Sequence, residues 1–252
     1  MRRSGRIKIR GIVQGVGFRP FVYATAKQLG IVGFVQNKGS EVEIQAFGER
    51  FEEFLAAVSR GPPMARIDSM EVFPDPGPFP GTFLIEESGR GSLSGMIPPD
   101  IATCDQCIED IFTPGGRYEG YWCTSCVNCG PRYSIIRDLP YDRERTSMAE
   151  FPPCPSCAKE YGDPASRRHH AQTIACAACG PALRLLDSSG NDVPSPDVIR
   201  ETARLLDAGS IVAIRGMGGF HLACTEEFSG ELKRRLGRPE QPFAVMVSPD
   251  HV

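Results

Sequence analysis

Apolar positions in the first ninety residues switch between strand and helix spacing. Ile7, Ile9 and Gly11-Ile12-Val13 predict a strand that stops at a glycine-rich turn, Gln14-Gly15-Val16-Gly17-Phe18-Arg19. Pro20 suits a helix start, and Phe21, Ala24 and Leu29 lay an apolar stripe along a helix that ends at Gly30. A strand at 32–35, a turn at Asn37-Lys38-Gly39-Ser40 and a strand alternating at Val42, Ile44 and Ala46 follow. Phe51, Phe54, Leu55 and Val58 mark a second helix, and 67–73 and 82–86 supply the last strands, on either side of a proline-rich loop at 74–81. The order βαββαβ, with one further short strand, predicts a ferredoxin-like split βαβ sandwich. Near the other end, Pro196 opens a helix carrying Ile199, Ala203, Leu205 and Leu206 and stopping at Gly209. Residues 210–214 then read as a buried strand running into Arg215-Gly216-Met217-Gly218-Gly219-Phe220-His221-Leu222.

Between these regions apolar periodicity gives way to cysteines. Eight of the ten fall in four C-x2-C pairs, Cys104/Cys107, Cys126/Cys129, Cys154/Cys157 and Cys176/Cys179. The last four numbers are the first four plus 50, and Cys129-Gly130-Pro131 returns as Cys179-Gly180-Pro181. Two cysteines on a tight turn aim both thiolates at one ion, and two such turns complete a tetrahedral, all-sulfur zinc site. The pairs are expected among loops in segments too poor in apolar residues to hold a fold by burial. Structural zinc supplies roughly 10–16 kcal/mol in finger peptides, ample for that task. Pairing first with second and third with fourth gives one zinc per repeat; an interleaved arrangement is the alternative. Cys123 has Thr173 at the repeated position and reads as a spare thiol, Cys224 as a core residue.

Composition narrows the choices. The chain has 252 residues, enough for two or three compact domains, with 41% hydrophobic and 23% charged residues. Lys+Arg is 28 against Asp+Glu 31, so no chain-wide nucleic-acid or membrane footprint is expected. No run approaches the roughly 18 apolar residues of a membrane span. The basic start, Arg2-Arg3, lacks an apolar signal core after it, so a cytoplasmic location is expected, where thiols stay reduced and bind metal.

The turn at 14–19 carries candidate chemistry. Gly15 and Gly17 permit backbone angles that turn successive N–H groups inward, an anion nest opening a helix, with Arg19 at its end. The bland alternative is a tight turn with an exposed arginine. Gly11-Ile-Val-Gln-Gly-Val-Gly-Phe-Arg19, followed by Gly33-Phe-Val-Gln-Asn37, resembles the signature of the acylphosphatase family. The resemblance implies that the loop residues Gln14, Gly15, Val16, Gly17 and Phe18, with Arg19, bind an acyl phosphate, and that Asn37 orients the attacking water.

The whole order, including Pro131-Arg132-Tyr133, Pro140-Tyr141-Asp142-Arg143 and Arg167-Arg168-His169-His170-Ala171-Gln172, resembles the N-terminal portion of the HypF-type carbamoyltransferases of [NiFe]-hydrogenase maturation. The implied architecture is an α+β multidomain chain. A ferredoxin-like acylphosphatase sandwich occupies 1–90 and a tandem four-cysteine zinc-finger unit 91–185 (about 100–135 and 150–185). A truncated α/β YrdC-like segment occupies 190–252. The resemblance further implies hydrolysis of carbamoyl phosphate, two structural zinc ions, and carbamoyl transfer to a HypE-type partner protein. ATP is implied only with domains that lie beyond Val252. A nucleotide site would use Arg215, Gly216, Gly218, Gly219 and Arg238, but Leu236 stands where the family has lysine, and Thr225-Glu226-Glu227 replaces Asp-Ala. Two rival readings are an idle protein-binding scaffold and, less favoured, a nucleic-acid module using Arg167 to His170 as a basic patch. His170 is alternatively a structural residue under the second finger, since four cysteines already close a zinc site.

Overall fold

The computed structural model describes residues 3–89, 96–216 and 218–247. Residues 90–95 of the expected boundary and Met217 of the glycine-rich turn lie outside that set. The chain forms two compact units, Met1–Pro181 and Ala182–Val252.

The first unit opens with β1 (Ser4–Ile12), α1 (Phe18–Leu29), β2 (Val32–Lys38), β3 (Glu41–Phe47), α2 (Phe51–Val58), β4 (Arg66–Phe73) and β5 (Phe83–Ile85). The sheet order is β4-β1-β3-β2-β5, antiparallel except for the β2–β5 pair. Ile7 and Ile9 of β1 and Val42, Ile44 and Ala46 of β3 point inward, where Phe18, Phe51, Phe54 and Phe83 are fully buried. On the opposite face, Glu43 and Gln45 are buried too, which alternation alone does not predict. The proline-rich loop folds across them: Asp75 accepts hydrogen bonds from Gln45 Nε2 (3.0 Å) and Arg6 Nε (3.2 Å).

The cysteine region repeats in structure as in sequence. Helices α3 (Asp105–Phe112) and α4 (Pro155–Gly162) have equal length and lie 50 positions apart. Gly120 N donates to Ile111 O (2.8 Å), and His170 N to Tyr161 O (2.9 Å), the same bond in each copy. Cys104 and Cys154 are the residues that open these helices. The expectation that all four pairs lie among loops is therefore corrected for the first pair of each repeat. The reason is physical: the exposed N–H groups and the positive dipole end of a helix favour thiolates.

The second unit contains α5 (Val198–Asp207), β6 (Val212–Arg215), β7 (Phe220–Ala223) and α6 (Ser229–Leu236). Asp197, not Pro196, caps α5, accepting from Arg200 N (3.0 Å). The strand expected to be buried is instead open, with Ile214 44% exposed. Among the described residues it pairs only with β7, in a two-stranded sheet. Cys224 is half-buried rather than a core residue.

Candidate metal centres and phosphate site

The structure gathers the eight repeated cysteines into two groups, Cys104/Cys107/Cys126/Cys129 and Cys154/Cys157/Cys176/Cys179, each with its sulfurs within 4.8 Å of one another. Four Zn–S bonds of roughly 2.3 Å demand a tetrahedron with edges of about 3.8 Å. The Sγ–Sγ separations are 3.8 Å (Cys104–Cys126), 3.7 Å (Cys126–Cys129), 3.8 Å (Cys154–Cys176), 3.9 Å (Cys176–Cys179) and 3.5 Å (Cys157–Cys179). Donor set and spacing both fit zinc, and each group belongs to one repeat. Cys123 stands apart from both.

Four thiolates around one zinc leave a charge of about −2, which arginines offset across the repeat. Arg117 of the first repeat reaches Cys157 Sγ of the second (2.6 Å) and pairs with Glu160 (2.7 Å). Arg167 of the second reaches Cys107 Sγ of the first (3.4 Å) and pairs with Asp110 (2.5 Å). Arg117 and Arg167, like Asp110 and Glu160, are 50 apart, so each finger's arginine serves the other's cluster. Arg168 lies over the ring of Tyr118, its own counterpart, at 3.9 Å and donates to Ser125 O (3.0 Å) and Glu160 (3.1 Å). Burial works against the Glu160 carboxylate, but the bonds from Tyr118 and Arg168 outweigh it and hold that carboxyl below the usual range. The segment 167–170 is thus engaged internally, with Arg168 and His169 buried, and presents no open basic patch. His170 belongs to neither sulfur group.

The glycine-rich turn lies against this finger unit. Gly15 and Gly17 have φ of 69° and 74°, a left-handed backbone that glycine alone adopts without strain. Gly17 opens α1 with no side-chain cap, and among the described residues no amide from Gly15 to Arg19 donates to a protein acceptor. Those amides are the free donors an anion needs. Gln14 Nε2 donates to Gly39 O (3.0 Å) and Glu41 O (3.2 Å), which ties the turn to the end of β2, where Asn37 is buried. With the amide oriented to satisfy both its ends, Asn37 Oδ1 accepts from Arg19 Nη2 (3.2 Å) and Nε (3.3 Å). Arg19 and Asn37, 18 residues apart in sequence, therefore meet in one pocket of about 30 Å³, room for roughly two waters.

Finger residues that sequence reasoning assigned no role complete the pocket. Arg19 Nη2 donates to Asp142 Oδ1 (2.8 Å), Tyr141 N donates to Gln14 Oε1 (3.0 Å), and Arg132 Nε donates to Gly15 O. His170 lines the same pocket, and burial, with the positive charge of Arg19 nearby, pushes its imidazole down to about 4. No spacing rule links position 19 to position 142; the offset of 50, by contrast, was a signal that could have found the crossed arginines. Arg215 lies 5.8 Å over the Phe220 ring, and Gly216 N donates to Gly219 O (2.8 Å), a hairpin turn between β6 and β7 with Gly218 inside it. Arg238 follows α6, its N–H bonded to Lys233 O (3.0 Å).

Comparison with known proteins agrees with this division. The acylphosphatase family model matches residues 5–83, and the HypF finger model matches 103–136 and 154–186. An acylphosphatase of Caldivirga maquilingensis is 46% identical over 76 residues, which cover 80% of that protein and 29% of this chain. The carbamoyltransferase HypF of Rhodobacter capsulatus is 45% identical over 249 residues, 97% of this chain and 33% of the relative. A crystal structure of full-length HypF in a phosphate- and nucleotide-bound form superposes with a TM-score of 0.87 at 36% identity, covering 98% of this chain and 35% of that one. The chain spans about a third of the length of the HypF relatives it matches. Over its whole length the chain is similar to HypF carbamoyltransferases and carries their finger repeat, and its first domain belongs to the acylphosphatase family.

Proposed function

We propose that the first domain hydrolyses acyl phosphates, carbamoyl phosphate among them, with Arg19 and Asn37 as its catalytic residues. The observation that carries this reading is the meeting of Arg19 with Asn37 beside free amides at the start of α1. An acyl phosphate is already activated, so the site needs no covalent nucleophile. The free amides and Arg19 hold the phosphoryl oxygens and neutralise charge that develops on them. Asn37 holds a water in line with the phosphorus; its attack releases phosphate and, from carbamoyl phosphate, carbamate.

The two zinc ions are structural in this reading, since four thiolates leave no open position for substrate. The domain limits follow at 1–90, 91–185 and 190–252. Carbamoyl transfer to a HypE-type partner in hydrogenase maturation, in the cytoplasm, would engage the further two thirds of the HypF relatives. ATP, and any service of Arg215, Gly216, Gly218, Gly219 and Arg238 in a YrdC-like site, enters only in that company. The scaffold alternative draws on the burial of the phosphate turn against the fingers.

The test is phosphate release from carbamoyl phosphate by the zinc-loaded chain. Arg19→Ala should lower the rate about 100- to 1000-fold, the loss of one charge-stabilising donor. Wild-type turnover in that variant would remove Arg19 from the mechanism. A folded, zinc-loaded wild type without activity would favour the scaffold.

A further inference from the structure

Asp142 holds the one cation of the phosphate turn. Arg19 and Asp142 side chains are each 11% exposed, and Nη2 stands 2.8 Å from Oδ1. The carboxylate is turned away from its local task. Asp142 opens the short 3-10 turn Arg143–Arg145, yet its side chain does not cap that turn. Its second oxygen, Oδ2, lies 3.5 Å from Arg145 Nη1, whose side chain is a third exposed. One carboxylate therefore stands between two guanidiniums, one lining the pocket and one reaching solvent. A phosphoryl group bound to the amides of 15–19 would need the same Arg19 donors, and two anions on one guanidinium in a half-buried pocket repel strongly.

Resting on the acyl phosphate reading above, we propose that Asp142 is a positioning residue that keeps Arg19 aimed into the pocket between turnovers and yields it to the incoming phosphate, its own carboxylate then left to Arg145 alone. The finger unit thereby contributes a residue to a site that the sandwich otherwise builds. No bond to oxygen or phosphorus changes in this step; one ion pair is exchanged for another.

The handover has a sign that a purely structural role lacks. If Asp142 only orients Arg19, removing its charge loosens the arginine and weakens phosphate binding. If it competes with phosphate, removing its charge strengthens binding. Inorganic phosphate is titrated calorimetrically into the zinc-loaded chain, and carbamoyl phosphate turnover is measured alongside, for wild type, Asp142→Asn and Arg145→Met. Asp142→Asn should bind phosphate on the order of tenfold tighter, the size of one charge-assisted hydrogen bond no longer displaced. Its KM for carbamoyl phosphate should fall while kcat does not rise. Arg145→Met should bind phosphate about twofold to fivefold more weakly, because the displaced carboxylate loses its second partner.

Unchanged or weaker phosphate binding in an Asp142→Asn protein that retains two zinc ions overturns the handover. If that variant does not fold, Arg145→Met decides, and unchanged affinity there overturns it. Phosphate binding by wild type without turnover would sink the hydrolase reading alone, leaving the binding series to judge Asp142. Absence of phosphate binding in wild type would sink both.

Discussion

His170 shows how much one backbone angle and one buried ring can decide. It takes φ 55°, the left-handed region that its counterpart Gly120 occupies at 66°, and it is the only residue other than glycine to do so among those described. Its imidazole packs on Tyr161 and His169, with ring centroids 4.9 and 4.6 Å away. Burial pushes its proton affinity down to about 4 from the 6.5 of an open histidine. Between those values the unfolded chain binds the proton and the folded one does not, so stability falls as pH drops from 6.5 towards 4. The loss from this group approaches about 3 kcal/mol at the acid end. Asn tolerates the left-handed angle, so His170→Asn should keep the turn and lose that acid sensitivity. Urea unfolding at about pH 7.5, 6.5 and 5.5 reads the difference; thiolate protonation is common to both proteins and cancels. Equal losses in both would show that His170 is not the acid-sensitive group. The sequence placed His170 under the second finger or in a basic patch. It held no sign of the pocket, because that depends on how the fingers dock on the sandwich.

At the scale of elements, the 50-residue offset carried more than ligand identity. It relates α3 to α4, the crossed arginines to each other and the paired backbone bonds. The helical segments are only eight residues long, and the cysteine at each helix start gives them a reason to form. The repeated glycine is instructive in the other direction. Gly130 takes φ 93°, but a side chain at Gly180 would collide with the Tyr121 hydroxyl, so one letter answers two constraints. The crossed pairing makes a prediction that sequence position alone would reverse. Arg117→Met lies in the first repeat, yet it should speed zinc loss from the second cluster. The acceleration should be on the order of tenfold, that of a lost charge-assisted contact. Arg167→Met should do the same to the first cluster. Zinc release to a chromogenic chelator gives the rates, and alkylation mapped by mass spectrometry tells which cysteines open first. Earlier alkylation of Cys104 and Cys126 than of Cys154 and Cys176 in Arg117→Met would contradict the crossed arrangement.

Across the first unit, two different forces hold two parts that meet at one pocket. The sandwich buries Phe18, Phe51, Phe54 and Phe83 with Ile7, Ile9 and Ile44, each contributing about 1.5–3 kcal/mol. Alternating apolar positions wrote that core into the sequence, and the strand order followed. Among the described residues the finger region buries Tyr118, Tyr121, Tyr141, Ile135, Met148 and Ile174, its other buried apolar residues being alanines and cysteines, and it leans on metal instead. The β6–β7 pair carries the apolar run 210–214, which no layer covers among the described residues. If metal and apolar burial divide the work in this way, stripping zinc under reducing conditions should unfold one part and spare the other. Amide hydrogen exchange should accelerate across 100–181, while β1, β3 and α1 keep their protection. Uniform loss of protection would mean that the sandwich depends on the finger contacts at Gln14, Gly15 and Arg19 as much as on its own core. The phosphate turn would then be a structural joint first, and its chemistry would be available only with both zinc sites formed.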